Sequence, residues 1–278
     1  MNVLQAVILG IVEGITEFLP VSSTGHLTVT EKLLGLQIDD KGVTAFTAII
    51  QVGAILAVVV YFWKDIVRLV VGFFRGLGSA EARTEPVWRE CVFLIVGTIP
   101  IAIFGLLFKD LIEGALRSLW VVAAALVLWS AVIVFAERAA TQARGEGDVR
   151  IRDAVLIGLA QCIAVVPGVS RSGATISAGL LLDLDRVAAT RLSFLLSIPA
   201  LTAAGGLEAV SSASDVSASV GWGPTAVGTV VSALVAYASI AWLLKLVSHH
   251  RLTVFVWYRV PAGLLLAALL TVGAISAT

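Results

Sequence analysis

Residues 13–26 read EGITEFLPVSSTGH, and residues 161–173 read QCIAVVPGVSRSG. The two stretches align without a gap at an offset of 148 positions, which pairs Glu13 with Gln161 and Ser22 with Ser170. The first copy contains two acids and a histidine, whereas the second contains an arginine. A duplicated framework with its chemistry divided between the copies predicts one site, formed where two halves of the chain meet.

The composition indicates that these stretches belong to a membrane protein. Hydrophobic residues make up 59% of the chain and charged residues 14%, against roughly 45–50% and about 25% in soluble proteins. Six apolar runs approach or exceed the roughly 20 residues that a helix needs to cross a membrane. These predicted spans cover residues 42–63, 91–108, 119–136, 192–207, 225–244 and 252–275.

Segments 3–34 and 154–182 fit the spanning pattern badly. In each, an apolar run meets a proline, Pro20 or Pro167, and resumes after a short stretch of Ser and Gly residues. Proline ends a helix because it lacks an N–H group, and serine is a good N-cap for the next helix. Each half-run is too short to span, and broken backbone at membrane depth must be buried in protein or line a wet cavity. We therefore expect two re-entrant helix-loop-helix hairpins.

The predicted fold is an all-α polytopic membrane protein with an inverted-topology repeat. We expect a single integral membrane domain, residues 1–278, with repeat halves 1–140 and 151–278. Each half contains one re-entrant hairpin and three transmembrane helices. Because three is odd, the second half enters the membrane from the opposite face, as in many transporters.

The distribution of Lys and Arg predicts the orientation. Thirteen fall on one face, beginning with a loop at residues 64–89, and four fall on the other: Lys32, Lys41, Lys109 and Arg117. The positive-inside rule makes the basic face cytoplasmic, so we expect both termini and the mouth of the first hairpin outside. Arg259, beside Trp257 and Tyr258, is interpreted as an interfacial anchor that snorkels towards water.

Glu13 and Glu17 are the candidate metal ligands. They are four residues apart, so their carboxylates share one helix face. Inside an apolar segment such groups are costly and indicate a functional site. Two close carboxylates favour a shared proton or a bound cation. The alternative is a helix that lies at the membrane surface with both acids in water.

Ser22, Ser23, Thr24 and His26 are the polar candidates that follow the first break. They open a helix whose free N–H groups suit a phosphate. Ser23 is also a candidate nucleophile, provided that a base takes its proton. His26 can act as acid, base or nucleophile near neutral pH. Helix capping alone and a structural histidine are the alternatives.

Arg171 is the candidate phosphate-binding cation of the second break. Its planar fork of donors matches phosphate, although pairing with Glu13 or Glu17 would also explain it. An acid pair, a nucleophile and an arginine are the groups that phosphoryl transfer needs. The predicted phosphate-binding residues are Ser22, Thr24, Gly168, Ser170, Arg171, Ser172 and Gly173.

On these motifs the sequence resembles the bacterial undecaprenyl pyrophosphate phosphatase family, integral-membrane enzymes associated with bacitracin resistance. The resemblance rests on EGITEFLPVSSTGH at 13–26 and PGVSRSGAT at 167–175. The order of the apolar segments extends it over essentially the whole chain.

The resemblance implies hydrolysis of undecaprenyl pyrophosphate to undecaprenyl phosphate and inorganic phosphate, which recycles the lipid carrier of peptidoglycan synthesis. It implies Mg²⁺ or Ca²⁺ as cofactor, and a site in the bacterial inner membrane that faces the periplasm or exterior. Glu13 and Glu17 match the family's acidic pair, Ser23 and His26 its nucleophile candidates, and Arg171 its phosphate-binding arginine. The partners implied are a polyprenyl pyrophosphate lipid and the membrane, without nucleic acid, and a homodimer is left open.

Other functions are compatible with the same pattern. Inverted repeats and broken helices also serve alternating access, so an inverted-repeat transporter or a polyprenyl-phosphate flippase is the alternative. A purely structural membrane protein is the third hypothesis. The fold does not decide among them, because function depends on the site.

Overall fold

The computed structural model describes residues 1–38, 40–108 and 118–277, apart from the side chains of residues 204 and 207–211. Two of the basic residues expected on the outer face, Lys109 and Arg117, lie outside the described residues. Within the described ranges the chain is helical and forms no β-strand beyond an isolated bridge between Arg144 and Leu184.

The longer helices are numbered here in chain order. They are α1 Val3–Thr16, α2 Ser23–Leu33, α3 Lys41–Tyr61, α4 Trp63–Gly78, α5 Pro86–Leu107, α6 Leu119–Ala139, α7 Ile151–Ile163, α8 Arg171–Leu181, α9 Arg186–Ser211, α10 Trp222–Val247 and α11 Val256–Thr271. Shorter helical turns lie at Ala82–Thr84, Glu146–Asp148, Ala213–Asp215, Val216–Val220 and Leu252–Phe255.

Five of the described helices are long and apolar enough to cross a membrane. They are α3, α5, α6, α10 and the stretch Leu252–Thr271, which includes α11. They correspond to five of the six predicted spans, so a helical, multi-pass membrane protein is confirmed. The remaining predicted span, 192–207, lies within α9, which contains Pro199 and is not among the five.

The connection expected between the first two spans, residues 64–89, is mostly helical, because it contains the helix α4. Its charged residues alternate with apolar ones at helical spacing, so they mark one side of a helix rather than a loop. Gly72 and Gly76 allow α4 to lie close against Val87 and Trp88 at the start of α5. The opposite side leaves Val67 and Phe74 exposed.

The two predicted helix breaks are confirmed, and they match in detail. Helices α2 and α8 each contain 11 residues and begin 148 positions apart. Their N-caps, Ser22 and Ser170, have φ values of 76° and 79°, a region that residues other than glycine rarely adopt. Each serine hydroxyl accepts a hydrogen bond from the amide three residues on, at Gly25 or Gly173. The repeat therefore extends to the backbone conformation.

The helix before each break packs against a long helix of the other half. Helix α1 lies against α10, and α7 lies against α5. Both contacts are close at paired glycines: a Cβ at Gly10 would lie 2.6 Å from the Gly228 carbonyl oxygen, and one at Gly158 would lie 2.5 Å from that of Gly97. Small residues allow such approach between membrane helices. The N-terminal and C-terminal parts of the chain therefore pack across each other, and the two breaks meet inside the protein.

Candidate functional site

The two breaks are joined directly by hydrogen bonds of their serines. The Ser22 hydroxyl oxygen accepts from the Gly168 amide at 2.9 Å. From the other side, the Ser172 hydroxyl donates to the Leu19 carbonyl at 3.0 Å, and the Ser170 hydroxyl lies 3.4 Å from the same oxygen. All three serines are buried. The two copies of the motif are therefore in direct contact inside the protein.

Glu17 connects the chemistry of the two copies. Its Oε2 accepts a hydrogen bond from the Ser23 hydroxyl at 2.6 Å, and its Oε1 accepts one from Arg171 Nη2 at 2.8 Å. Arg171 also donates to the Ser193 carbonyl at 3.1 Å, and it stands over the Phe18 ring. A serine whose hydroxyl donates to a buried carboxylate is arranged to lose its proton when it attacks an electrophile.

Gln51 on α3 is a further partner of Glu17, and it was missed in the sequence. Its side-chain amide donates to Glu17 Oε2 at 3.3 Å. The available signal was a lone amide inside the apolar run 42–63. The carboxylate of Glu17 is therefore held by three side chains, from α2, α3 and α8.

A cavity of about 250 Å³ opens beside Ser23. Its lining includes Glu13, Ser23, Thr24, Gln51 and Pro167. Of the trio Glu17, Ser23 and Arg171, Ser23 is the member that lines the cavity. Of these three residues, Ser23 is therefore the one that a ligand in the cavity would contact.

Glu13 is fully buried, and within the described part of the chain neither of its carboxylate oxygens has a hydrogen-bond partner. Burying an unpaired carboxylate is costly, so this group calls for a proton or a cation. Carboxylate oxygens are the ligands that Mg²⁺ and Ca²⁺ prefer. The described residues contain no cluster of three or more His, Cys, Asp or Glu side chains suited to a metal. A cation at Glu13 and Glu17 would find no third His, Cys, Asp or Glu ligand among the described residues.

His26 does not reach Ser23, because both ring nitrogens are bound elsewhere. Nδ1 lies 2.6 Å from the Ser22 carbonyl oxygen, and Nε2 lies 2.5 Å from the Tyr258 hydroxyl. A carbonyl can only accept, so Nδ1 carries the proton and Nε2 of the neutral ring accepts from Tyr258. Tyr258 was missed as a site residue, since its sequence context suggested only a membrane-interface belt.

The residues predicted to bind phosphate have different surroundings. Thr24 is exposed to the cavity. The hydroxyls of Ser22, Ser170 and Ser172 already bond within the protein, as do the amides of Gly168 and Gly173. Arg171 Nε has no partner in the described structure. Their role towards phosphate stays a prediction, while the serines demonstrably tie the breaks together.

The interpretation of Arg259 as an interfacial anchor was wrong. Its side chain is fully buried, and its guanidinium donates to the carbonyls of Pro20 and Gly168, both at 2.8 Å. The aromatic neighbours in the sequence suggested a position at the membrane surface, but α11 turns the face that contains Arg259 inward. A single sequence contains no signal for that rotation.

Comparison with known proteins places these residues in a family. The family model described as bacitracin resistance protein BacA matches residues 6–265. The undecaprenyl-diphosphatase of Cutibacterium acnes is 56% identical over 284 residues, which cover all of both chains. The protein of the same name from Acidothermus cellulolyticus is 55% identical and that from Mycolicibacterium smegmatis 47% identical, each again over the full length of both chains. With a match of this extent, and with both motifs at the point where the halves meet, the chain belongs to the bacitracin resistance protein BacA family.

Proposed function

We propose that this chain is an undecaprenyl-diphosphatase, an enzyme that hydrolyses undecaprenyl pyrophosphate in the membrane to undecaprenyl phosphate and inorganic phosphate. The full-length relatives bear that name. The observation that carries the proposal is the Ser23 hydroxyl held 2.6 Å from a Glu17 carboxylate that also binds Arg171. This arrangement supplies a nucleophile, a base and a cation for phosphate at one point.

In the proposed mechanism, Ser23 Oγ attacks the terminal phosphorus. Its proton passes to Glu17, the P–O bond of the anhydride breaks, and the leaving undecaprenyl phosphate takes that proton. Water then attacks the phosphoserine, which releases inorganic phosphate and returns a proton to Ser23. Arg171 neutralises charge on the transferred phosphoryl group, where such electrostatic stabilisation is most effective.

Two other nucleophiles have less support from the geometry. His26 would have to break its bond to Tyr258 to free Nε2. Water activated by Glu17 would compete with the Ser23 hydroxyl, which already lies against that carboxylate. The short bond between Ser23 and Glu17 therefore favours the serine.

We also propose that Glu13 and Glu17 bind Mg²⁺ or Ca²⁺ together with phosphate oxygens of the substrate. Mg²⁺ is commonly held by one or two carboxylates plus substrate phosphates, which fits a site with few protein ligands. A bound cation would neutralise phosphate charge and orient the terminal phosphoryl group. The unpaired oxygens of Glu13 support this assignment.

The same proposal covers the topology and the location of the protein. We propose two re-entrant broken segments, an inverted-topology repeat with halves 1–140 and 151–278, and a location in the bacterial inner membrane. The matching caps at Ser22 and Ser170 support a repeat, and so does the exchange of packing partners between the halves. The site would then face the periplasm or exterior, with both termini outside.

The proposal is tested by phosphate release from the purified protein in detergent, with undecaprenyl pyrophosphate as substrate. We expect release that stops on chelation, resumes with Mg²⁺ or Ca²⁺, and is lost in Ser23→Ala. If no phosphate is released in the presence of both cations while lipid moves across vesicles, the transporter alternative is favoured. The accessibility of single cysteines introduced near each terminus tests whether both termini lie outside, as predicted.

A further inference from the structure

Arg259 joins the two breaks at equivalent points. Nη1 donates to the Pro20 carbonyl and Nη2 to the Gly168 carbonyl, each at 2.8 Å. Pro20 and Gly168 stand 148 positions apart, which is the offset of the repeat. A single side chain from α11 therefore holds the same carbonyl in both copies.

The remaining contacts of Arg259 hold it in place. Nε donates to the Ser130 hydroxyl at 3.2 Å, and Nη2 lies 3.4 Å from the Ala125 carbonyl, both on α6. No carboxylate is among its partners in the described structure. Burying a cation that has no ionic partner is costly. Packing alone therefore does not account for an arginine here.

The chemistry of the two carbonyls explains why an arginine fits. A helix break leaves backbone carbonyls without an intrahelical partner, and an unpaired buried carbonyl is unfavourable. A guanidinium presents five donors in a rigid plane, so it can bind two carbonyls at once at a set separation. The compact ammonium group of lysine does not fix such a geometry.

Arg259 thus forms a bridge between the Pro20 and Gly168 carbonyls. The position of this bridge relative to the reacting groups gives it a function. Ser23 lies three residues after Pro20, and Arg171 lies three residues after Gly168. We propose that Arg259 is a positioning residue for the phosphatase reaction: by fixing these two carbonyls, it sets the separation between the nucleophile Ser23 and the phosphate-binding Arg171. This inference rests on the proposed function.

The first test compares Arg259→Gln with Arg259→Lys, with kcat and KM expressed per folded protein. A misplacement of about 1 Å costs about 100-fold in positioned reactions, so we expect kcat to fall by about that factor in both variants, with KM changed less than about threefold. Lysine keeps the charge without the fork, so it should not rescue the reaction. Arg186→Gln is the matched control, because Arg186 pairs with buried Glu137 and not with the breaks. It should lower thermal stability without changing kcat.

Two results would overturn the inference. One is a kcat within about threefold of the parent in Arg259→Gln. The other is full activity in Arg259→Lys, which would assign the effect to charge rather than to the bridge. Should both variants fail to fold, Ser130→Ala removes only the hydroxyl that orients Nε. Loss of one such hydrogen bond corresponds to about a fivefold change, and an unchanged kcat in Ser130→Ala would equally contradict the inference.

Hydrogen exchange tests the bridge without catalysis. In Arg259→Gln, amide exchange should rise in both breaks, residues 17–22 and 164–170, compared with the parent and with Arg186→Gln. A rise in neither break, or in only one, would contradict the bridge. An inactive parent protein would refute the proposed function instead, and the exchange result would still decide whether Arg259 joins the breaks.

Discussion

Replacing Glu17 with glutamine tests whether Glu17 is the base that takes the proton of Ser23. Glutamine keeps the size of the side chain and can still accept a hydrogen bond from Arg171, but it cannot take a proton from Ser23. A positioned general base contributes about 10²–10⁴-fold, which corresponds to about 3–5 kcal/mol of transition-state stabilisation. We therefore expect Glu17→Gln to lower kcat by at least about 100-fold.

The same change also affects folding, because Arg171 and Glu17 form a buried pair with side-chain exposures of 12% and 4%. Removing one partner of a buried ion pair costs about 3–5 kcal/mol, and the amide oxygen of glutamine should recover part of that. Glu137→Gln is the matched control, since Glu137 is a buried carboxylate that binds Arg186. It should lose comparable thermal stability with no change in kcat.

The assay is phosphate release from undecaprenyl pyrophosphate in detergent, with kcat divided by the folded fraction and thermal unfolding measured on the same samples. Glu17→Gln should differ from Glu137→Gln in kcat and resemble it in melting temperature. A Glu17→Gln enzyme within about fivefold of the parent kcat would refute the role of Glu17 as base. Equal loss of kcat in both variants would assign the effect to stability.

Three further predictions concern other parts of the protein. Tyr258→Phe frees Nε2 of His26 and should lower kcat by less than about tenfold, whereas a rise in kcat would indicate a histidine nucleophile. Gly10→Ala forces a Cβ against the Gly228 carbonyl of α10 and should lower the free energy of unfolding by about 1–3 kcal/mol. Gly105→Ala is the control, because open space surrounds its Cβ, and it should not lower stability. Equal melting temperatures in the two variants would contradict the close packing. The hydrogen bond from the Val43 amide holds the pKa of the Asp40 carboxyl below its usual range. The stabilising effect of this carboxyl is therefore present above the unfolded-state pKa and is lost as pH falls through the folded-state value. Asp40→Asn keeps the cap and should flatten the acid dependence of the melting temperature, and an unchanged dependence would argue against this assignment.

The sequence predicted the breaks well because their signals are local. A proline ends a helix wherever it lies, and a serine that follows it caps the next helix, so α2 and α8 begin where Pro20 and Pro167 indicated. Five spans followed from hydropathy alone. The meeting of the two copies followed from the duplicated motif.

What the sequence could not predict depends on tertiary contacts. Arg259 was assigned to the membrane surface by its aromatic neighbours, yet its direction is set by carbonyls more than 90 residues away in the chain. Tyr258 and Gln51 entered the site because α11 and α3 pack beside the breaks. The sequence also did not show that the buried hydroxyls of Ser22 and Ser172 bind backbone groups of the other break, because these contacts form only in the folded chain.

Attack of Ser23 on the terminal phosphate would leave a phosphoserine on the enzyme, and trapping this phosphoenzyme identifies the nucleophile. Protein mixed with undecaprenyl pyrophosphate labelled on its terminal phosphate is quenched within milliseconds, and the labelled peptide is identified by mass spectrometry. We expect label on Ser23, no label in Ser23→Ala, and a kcat at least about 1,000-fold lower in that variant. A label on His26, or a label that survives Ser23→Ala, would contradict a serine nucleophile.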